Sequence, residues 1–198
     1  RYNKLYYNQD SPSVSDSEYD KLKKETIELE ENNEFLKKFG SVKNIVGSKP
    51  ANKFKKIKHI KPMLSLSNAF KKEDILNFLK KINNYLNTKE FNFELFSEPK
   101  IDGISASLTY ENGFLTKGVS RGDGETGEDI LQNLITIDEI PKKIQDNKVP
   151  KILEVRGEVY IGKKDFQSIK NDFANPRNAA GGSLRQKDPK DTEKIPLK

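Results

Sequence analysis

SASLTYENGFLTKGVS, residues 105–120, sets two short runs of strand-forming residues, Ser105–Tyr110 and Phe114–Ser120, on either side of Asn112-Gly113. Asn-Gly between such runs is the strongest short-range hairpin signal. A type I′ turn needs positive φ at both central residues, and its twist matches that of the strands it joins. Downstream, Ile152–Ile161 reads as a further strand, rich in Val and Ile with alternating charge. Asn175-Pro176 then fits the N-cap and first position of a last helix carrying Arg177 and Arg185, since proline's fixed φ suits that position. Ten of the 12 glycines lie between Gly103 and Gly182, so the turns concentrate here. Strands joined mostly by hairpins, with helices beside them, predict an α+β fold with mostly antiparallel sheets and flanking helices.

Upstream the pattern changes to helix. Ser15 and Glu18 have capping-box spacing, and Tyr19, Leu22, Thr26 and Leu29 follow at helical intervals, so one face is expected to be buried. The run Glu28-Leu29-Glu30-Glu31 reads as a solvated face. Before it, Leu5, Tyr6 and Tyr7 predict a short helix packed on the longer one. Residues 1–46 therefore form a small N-terminal helical subdomain, and 47–198 the main domain. Gly47, Pro50, Pro62 and the basic run Lys53–Lys58 read as a linker or edge strand with solvated lysines. Ile75, Phe78, Leu79, Ile82 and Leu86 mark one stripe of a second amphipathic helix and are expected in the core.

Composition limits the chemistry. The 198 residues include no Cys and one His, His59. Disulfides, thiolate metal sites and a Cys nucleophile are thereby excluded, and Ser-His-Asp catalysis is disfavoured. No apolar run approaches the ~20 residues of a membrane span, and no signal-peptide pattern opens the chain, so a soluble, cytoplasmic protein is expected. The net charge of +6 is carried by 31 lysines and five arginines. Such a lysine excess supports weak polyanion attraction and little more. Scarce arginines say more: Arg121, Arg156, Arg177 and Arg185 each sit in a Gly- or Asn-rich segment, where a planar bidentate donor has a use.

Four segments can carry chemistry. In Ser97-Glu98-Pro99-Lys100-Ile101-Asp102-Gly103, alternation on extended backbone puts Glu98, Lys100 and Asp102 on one face. The plain alternative is a surface ion-pair ladder. Arg121-Gly122-Asp123-Gly124 continues to Gly127, a turn able to present backbone N–H groups to an anion, with Arg121 beside them. Its alternative is a flexible acidic loop, and an adhesive Arg-Gly-Asp reading has no other support. Glu154, Arg156 and Glu158 share one face of a strand whose other face carries Val155, Gly157 and Val159. A carboxylate there can hold a ribose hydroxyl pair, as in other nucleotide sites. Lastly, Asn175 to Gln186 opens a helix with small residues and sets two arginines about two turns apart. That pattern suits phosphate at a helix N-terminus or a tightly packed structural helix.

Taken in order, these segments resemble the adenylation domain of bacterial-type NAD+-dependent DNA ligases. The resemblance covers almost the whole chain. It rests on Tyr6 with Asp16-Ser17-Glu18-Tyr19-Asp20, on Pro62-Met63-Leu64-Ser65-Leu66-Ser67-Asn68-Ala69-Phe70 and on Glu98-Pro99-Lys100-Ile101-Asp102-Gly103. Arg121-Gly122-Asp123-Gly124, Glu154-Val155-Arg156-Gly157-Glu158 and the Asn175–Gln186 segment complete it. It implies the nucleotidyltransferase fold shared by DNA ligases and mRNA capping enzymes, preceded by a subdomain of the nicotinamide mononucleotide-binding type.

By this resemblance Lys100 is the nucleophile that attacks the adenylyl phosphorus of NAD+ to give lysyl-AMP, its pKa lowered by desolvation and nearby cations. Asp102 orients it or assists a metal. Leu64 and Ser65 line the adenylate, Glu98, Ile101, Arg121 and Glu158 belong to the nucleoside pocket with Glu158 at the ribose, and Tyr6, Asp16, Tyr19 and Asp20 grip the nicotinamide mononucleotide half. Arg177 and Arg185 face phosphate or DNA. NAD+ as substrate and Mg2+ are implied, with no residue assigned as metal ligand. Zinc belongs to the full-length family and not to this chain. The partner implied is nicked double-stranded DNA, met by the full-length enzyme in replication and repair, and a monomer without membrane contact is expected.

Two departures stand out: Tyr7 occupies a position where the family commonly has His, and the stretch between Phe166 and Phe173 is short, as if a loop were left out. The family also continues into a strand with further lysines and then further domains, so a C-terminally truncated fragment is expected. An ATP-dependent nucleotidyltransferase is the nearest competing reading. Against it stand the N-terminal segment and Ser105, where ATP-dependent members usually carry Arg. A basic, non-catalytic nucleic-acid-binding module leaves the clustered glycines and arginines unexplained.

Overall fold

In the computed structural model, residues 14–42, 54–88, 93–146 and 148–198 are described. In chain order they form α1 (Asp16–Asn32), β1 (Lys56–Lys58), α2 (Lys72–Leu86), β2 (Ile104–Glu111), β3 (Phe114–Ser120), β4 (Thr126–Glu128) and α3 (Leu131–Leu134). Then come β5 (Ile152–Val159), α4 (Lys163–Phe166), α5 (Pro176–Leu184) and α6 (Pro189–Glu193), and a 3-10 helix spans Glu34–Phe39. The chain divides into two units, one of residues 1–63 with 101–198 and the other of residues 64–100.

In the larger unit the hairpin forms where Asn112-Gly113 dictates, with φ of 50° and 84°. β2 is the middle strand of an antiparallel sheet in the order β3-β2-β5. Alternation across it separates two faces. Ala106 and Val159 lie on the apolar face and join Ile130, Leu134, Ile137, Ile161, Ala179, Ala180, Leu184 and Leu197 in one buried cluster. The other face is polar: Ser105, Ser107 and Thr109 of β2 stand opposite Glu158, Arg156 and Glu154 of β5. A second, two-stranded antiparallel sheet pairs β1 with β4. The expected edge strand with solvated lysines is present, Lys56 and Lys58 being exposed. An α+β fold of mostly antiparallel strands with flanking helices is thus what the chain adopts.

Local signals worked where they rested on capping. Ser15 accepts from the Glu18 amide while Glu18 accepts from the Ser15 amide, closing the expected capping box. Hydrogen bonding to Ser15 holds the Glu18 carboxyl below its ordinary value. Asn175 accepts from the Asn178 amide with Pro176 in the first helical turn. This helix is not the last, because Asp188-Pro189 repeats the same device to start α6.

Three expectations failed. Glu30, read as part of a solvated face, is buried, and its carboxylate accepts from Ser41 Oγ at 2.7 Å and the Val42 amide at 2.9 Å. Charge favoured exposure, but two returning donors satisfy the carboxylate inside. Of the expected apolar face of α1, Tyr19 is buried, whereas Leu22 and Leu29 are exposed. In α2, Ile75, Phe78 and Leu86 are not core residues but stay about half exposed. The 64–100 unit contains α2 as its one described helix and no strand among its described residues, so no second described element within it packs on the stripe, of which Leu79 and Ile82 are half-buried. The short helix expected around Leu5–Tyr7 lies outside the described residues.

Candidate active site

Gly103 brings the Lys-x-Asp-Gly segment into β2 against β5. A Cβ there would strike the Val159 carbonyl oxygen, so only glycine allows this approach. Residues 94–102 carry no regular strand, so the alternation expected for Glu98, Lys100 and Asp102 is not imposed by a sheet. Glu98 and Lys100, in the smaller unit, and Asp102, in the larger, are all exposed. Asp102 is fixed by an ion pair: Arg177 Nη1, from the first turn of α5, lies 2.9 Å from its Oδ1.

The Arg121–Gly127 turn is built differently from the anion nest expected. The Arg121 amide donates to Ser105 O, Asp123 to Thr126 O, and Gly124 to Arg121 O. Amides of Glu125 and Thr126 both donate to Asp123 Oδ1. These five amides are taken up within the fold, so they are not offered to an anion. The glycines of the turn serve backbone geometry instead: Gly122 has φ 58°, and a Cβ would collide with Thr126 O.

This turn also grips the segment ahead of residue 64. His59 donates its amide to Glu125 O at 2.9 Å, and Met63 donates to Gly124 O at 2.8 Å. The His59 ring lies inside, with Nε2 3.1 Å from Arg121 O. Arg156 holds the same segment, donating Nη1 to Pro62 O at 3.0 Å and Nη2 to Lys61 O, with Nε on Glu154 Oε1 at 2.6 Å. Arg156, Glu154, Ile152, Ile60 and Lys61 line an open hollow. Sequence reading put the three β5 charges on one face but assigned no role to Arg156 or His59. Both act on backbone carbonyls far away in sequence, which spacing cannot reveal.

Glu158 is half-buried and accepts from Ser105 Oγ at 2.8 Å. Arg185, at the C-cap of α5, pairs through Nε with Oε2 of Glu128 at 3.2 Å, and that carboxylate is buried. Asn178, Ala179, Ala180, Gly181, Ser183 and Leu184 are buried too, so the small residues of α5 pack the helix tightly.

Among the other expected site residues, Arg121 is half-buried, Ile101, Leu64 and Ser65 are exposed, and Leu64 and Ser65 belong to the smaller unit. Tyr19 is buried and Asp20 half-buried on α1, and Asp16 is the first residue of that helix. Tyr6 lies outside the described residues. Among the described residues no three His, Cys, Asp or Glu side chains gather as a metal site.

A hairpin-centred antiparallel sheet entered through Lys100-Ile101-Asp102-Gly103, with a carboxylate on its polar face, defines a nucleotidyltransferase-type adenylation domain. Comparison with known families agrees. Residues 51–198 match the NAD-dependent DNA ligase adenylation domain, and residues 1–41 match the DNA ligase-like, N-terminal NAD+-binding domain. The chain belongs to the NAD-dependent DNA ligase family. It is similar to proteins named DNA ligase from Pelagibacter ubique (57% identity) and Clostridioides difficile (53%), covering 100% and 99% of this chain and 29% of each relative. A DNA ligase of Rickettsia bellii is 50% identical over 100% of the chain and 30% of its own length. The chain thus spans less than a third of the curated relatives it matches.

Proposed function

We propose that this chain carries out the first step of NAD+-dependent DNA ligation. Lys100 Nζ attacks the adenylyl phosphorus of NAD+. A P–N bond forms, the pyrophosphate P–O bond breaks, nicotinamide mononucleotide leaves with the electron pair, and the lysine loses its proton. In the whole ligase the AMP would pass to the 5′-phosphate of nicked double-stranded DNA. The observation that carries the reading is the Lys100-Ile101-Asp102-Gly103 run, which lies inside the matched adenylation region and opens directly into the central strand β2.

The residues take these roles in the proposal. Glu158 accepts from the adenosine ribose, with Arg121 close to the same sugar. Glu98, Leu64, Ser65 and Ile101 complete the nucleoside pocket. Tyr6, Asp16, Tyr19 and Asp20 of the 1–46 subdomain hold the nicotinamide mononucleotide half, and 47–198 is the nucleotidyltransferase core. Asp102, held by Arg177, keeps the nucleophile's segment in place. Arg177 and Arg185 face phosphate or DNA.

Mg2+ fits the site as an ion brought by the dinucleotide, since it commonly takes one or two carboxylates plus substrate phosphates, and Asp102 is an exposed carboxylate of the motif. When bound it would neutralise charge on the phosphoryl oxygens. Among the described residues no helix is long and apolar enough to cross a membrane. A monomeric, cytoplasmic protein is part of the proposal.

The test is intact mass after incubation with Mg2+ and either NAD+ or ATP, with peptide mapping. One AMP on Lys100 from NAD+ alone is expected, and none on Lys100→Ala. An adduct persisting in that variant would refute the nucleophile, and labelling from ATP would refute the substrate.

A further inference from the structure

We propose that Ser105 is a positioning residue for the adenosine ribose, holding the Glu158 carboxylate so that its other oxygen accepts a ribose hydroxyl. The inference rests on the reading that Glu158 meets the ribose, and it adds the residue that orients it.

Ser105 on β2 and Glu158 on β5 are direct partners in the antiparallel register, on the polar face of the sheet. Their side chains meet at 2.8 Å between Ser105 Oγ and Glu158 Oε2. An ionised carboxylate only accepts, so the serine hydroxyl spends its one hydrogen on this bond. Glutamate reaches its carboxylate through three torsions. Anchoring Oε2 to a group that is itself part of a strand removes most of that freedom before a ligand arrives, and affinity gains from such preorganisation. Both residues are half-buried, which strengthens the bond relative to one in bulk water.

Ser105 acts at two points. While its hydroxyl holds Glu158, its carbonyl accepts the Arg121 amide at 3.3 Å. One residue therefore ties the proposed ribose acceptor to the glycine turn that carries Arg121. The backbone tie survives any side-chain substitution, so removing the hydroxyl isolates its effect on Glu158.

The experiment is calorimetric titration of the whole chain with NAD+ and with the dinucleotides lacking the adenosine 2′- or 3′-hydroxyl. The unaltered chain should prefer NAD+ over at least one deoxy form by about tenfold, typical of a hydrogen bond to a charged group. Ser105→Ala should cut that preference to about threefold or less with unchanged affinity for the deoxy form. Ser105→Thr, which restores the hydroxyl, should recover it, and melting temperatures should match across all three. A Ser105→Ala protein that keeps the full preference overturns the proposal. Glu158→Ala separates the two layers. If it abolishes the preference and Ser105→Ala does not, Ser105 alone is misassigned. If Glu158→Ala also keeps the preference, or the unaltered chain shows no binding or no preference, the ribose reading fails and the proposal with it.

Discussion

Arg177 and Asp102 stand 75 positions apart in the chain, yet their side chains meet at 2.9 Å. The pair joins the first turn of α5 to the segment that follows Lys100. Asp102 is 62% exposed and Arg177 19%, so the bond lies at the surface of the fold, where an ion pair adds little stability. A contact of little energetic value at this position is better explained by where it holds the chain than by how strongly.

Arg177→Ala should therefore shift stability by less than about 1 kcal/mol while slowing AMP transfer to Lys100 by about tenfold or more. Arg177→Lys should rescue only part of the rate, because an ammonium lacks the planar fork. Thermal melting and the time course of the mass adduct measure the two effects. A large melting loss with normal labelling would make the pair purely structural.

Arg185 differs in its surroundings. Its partner Glu128 is buried at 3% exposure, and the Glu128 amide donates to Ser120 Oγ at 3.0 Å. Arg185→Ala should cost about 2 kcal/mol, and Glu128→Gln in the same chain should recover part of it. An unchanged melting temperature with weakened binding to nicked duplex would instead favour a role confined to DNA.

How much of this was readable follows from the range of each interaction. Asn112-Gly113, Ser15 with Glu18, and Asn175-Pro176 act within four residues, and all three formed as their chemistry dictates. Glu30 misled because its donors, Ser41 and Val42, return from eleven and twelve residues away. In α2 the stripe was legible as amphipathic, but periodicity names a face and not its cover. The candidate site showed the same division. Motifs located Asp102 and Glu158, whereas the ties that hold them, from Arg177 and Ser105, cross between elements, as do those of Arg156 to Pro62 O and of His59 to Arg121 O.

Arg156 offers a test of those ties. Its guanidinium bonds the carbonyls of Lys61 and Pro62 and the carboxylate of Glu154, directly ahead of the Leu64-Ser65 segment. A lysine has three donors but on a single nitrogen, so it cannot span the acceptors that the three nitrogens of the guanidinium reach. Arg156→Lys should lose about 1–2 kcal/mol and raise hydrogen exchange at the His59 and Met63 amides, which donate to Glu125 and Gly124. Unaltered exchange at both amides would show that the turn alone holds this segment.

Tyr110 contributes to the loss of stability at alkaline pH in a way that can be isolated. Its ring is buried on the apolar side of the sheet, and its hydroxyl donates to Pro141 O at 2.8 Å. Burial raises its pKa above the ordinary 10.0, because the phenolate is the form that low-dielectric surroundings disfavour. Above pH 10 the unfolded chain releases this proton while the folded chain keeps it. The contribution is therefore fully present below that pH and is lost as pH rises through the folded value. Lys194 and Lys198, raised by Asp191 and Asp165, act in the same direction, so the raw alkaline slope is shared. Tyr110→Phe removes one contributor. The variant should be about 1 kcal/mol less stable at neutral pH, since the Pro141 carbonyl loses its donor, and the gap to the unaltered chain should narrow as pH rises above 10. Denaturant unfolding at pH 7, 9, 10 and 11 measures it. A gap that stays constant over that range would mean that Tyr110 titrates in the folded chain as it does in the unfolded one.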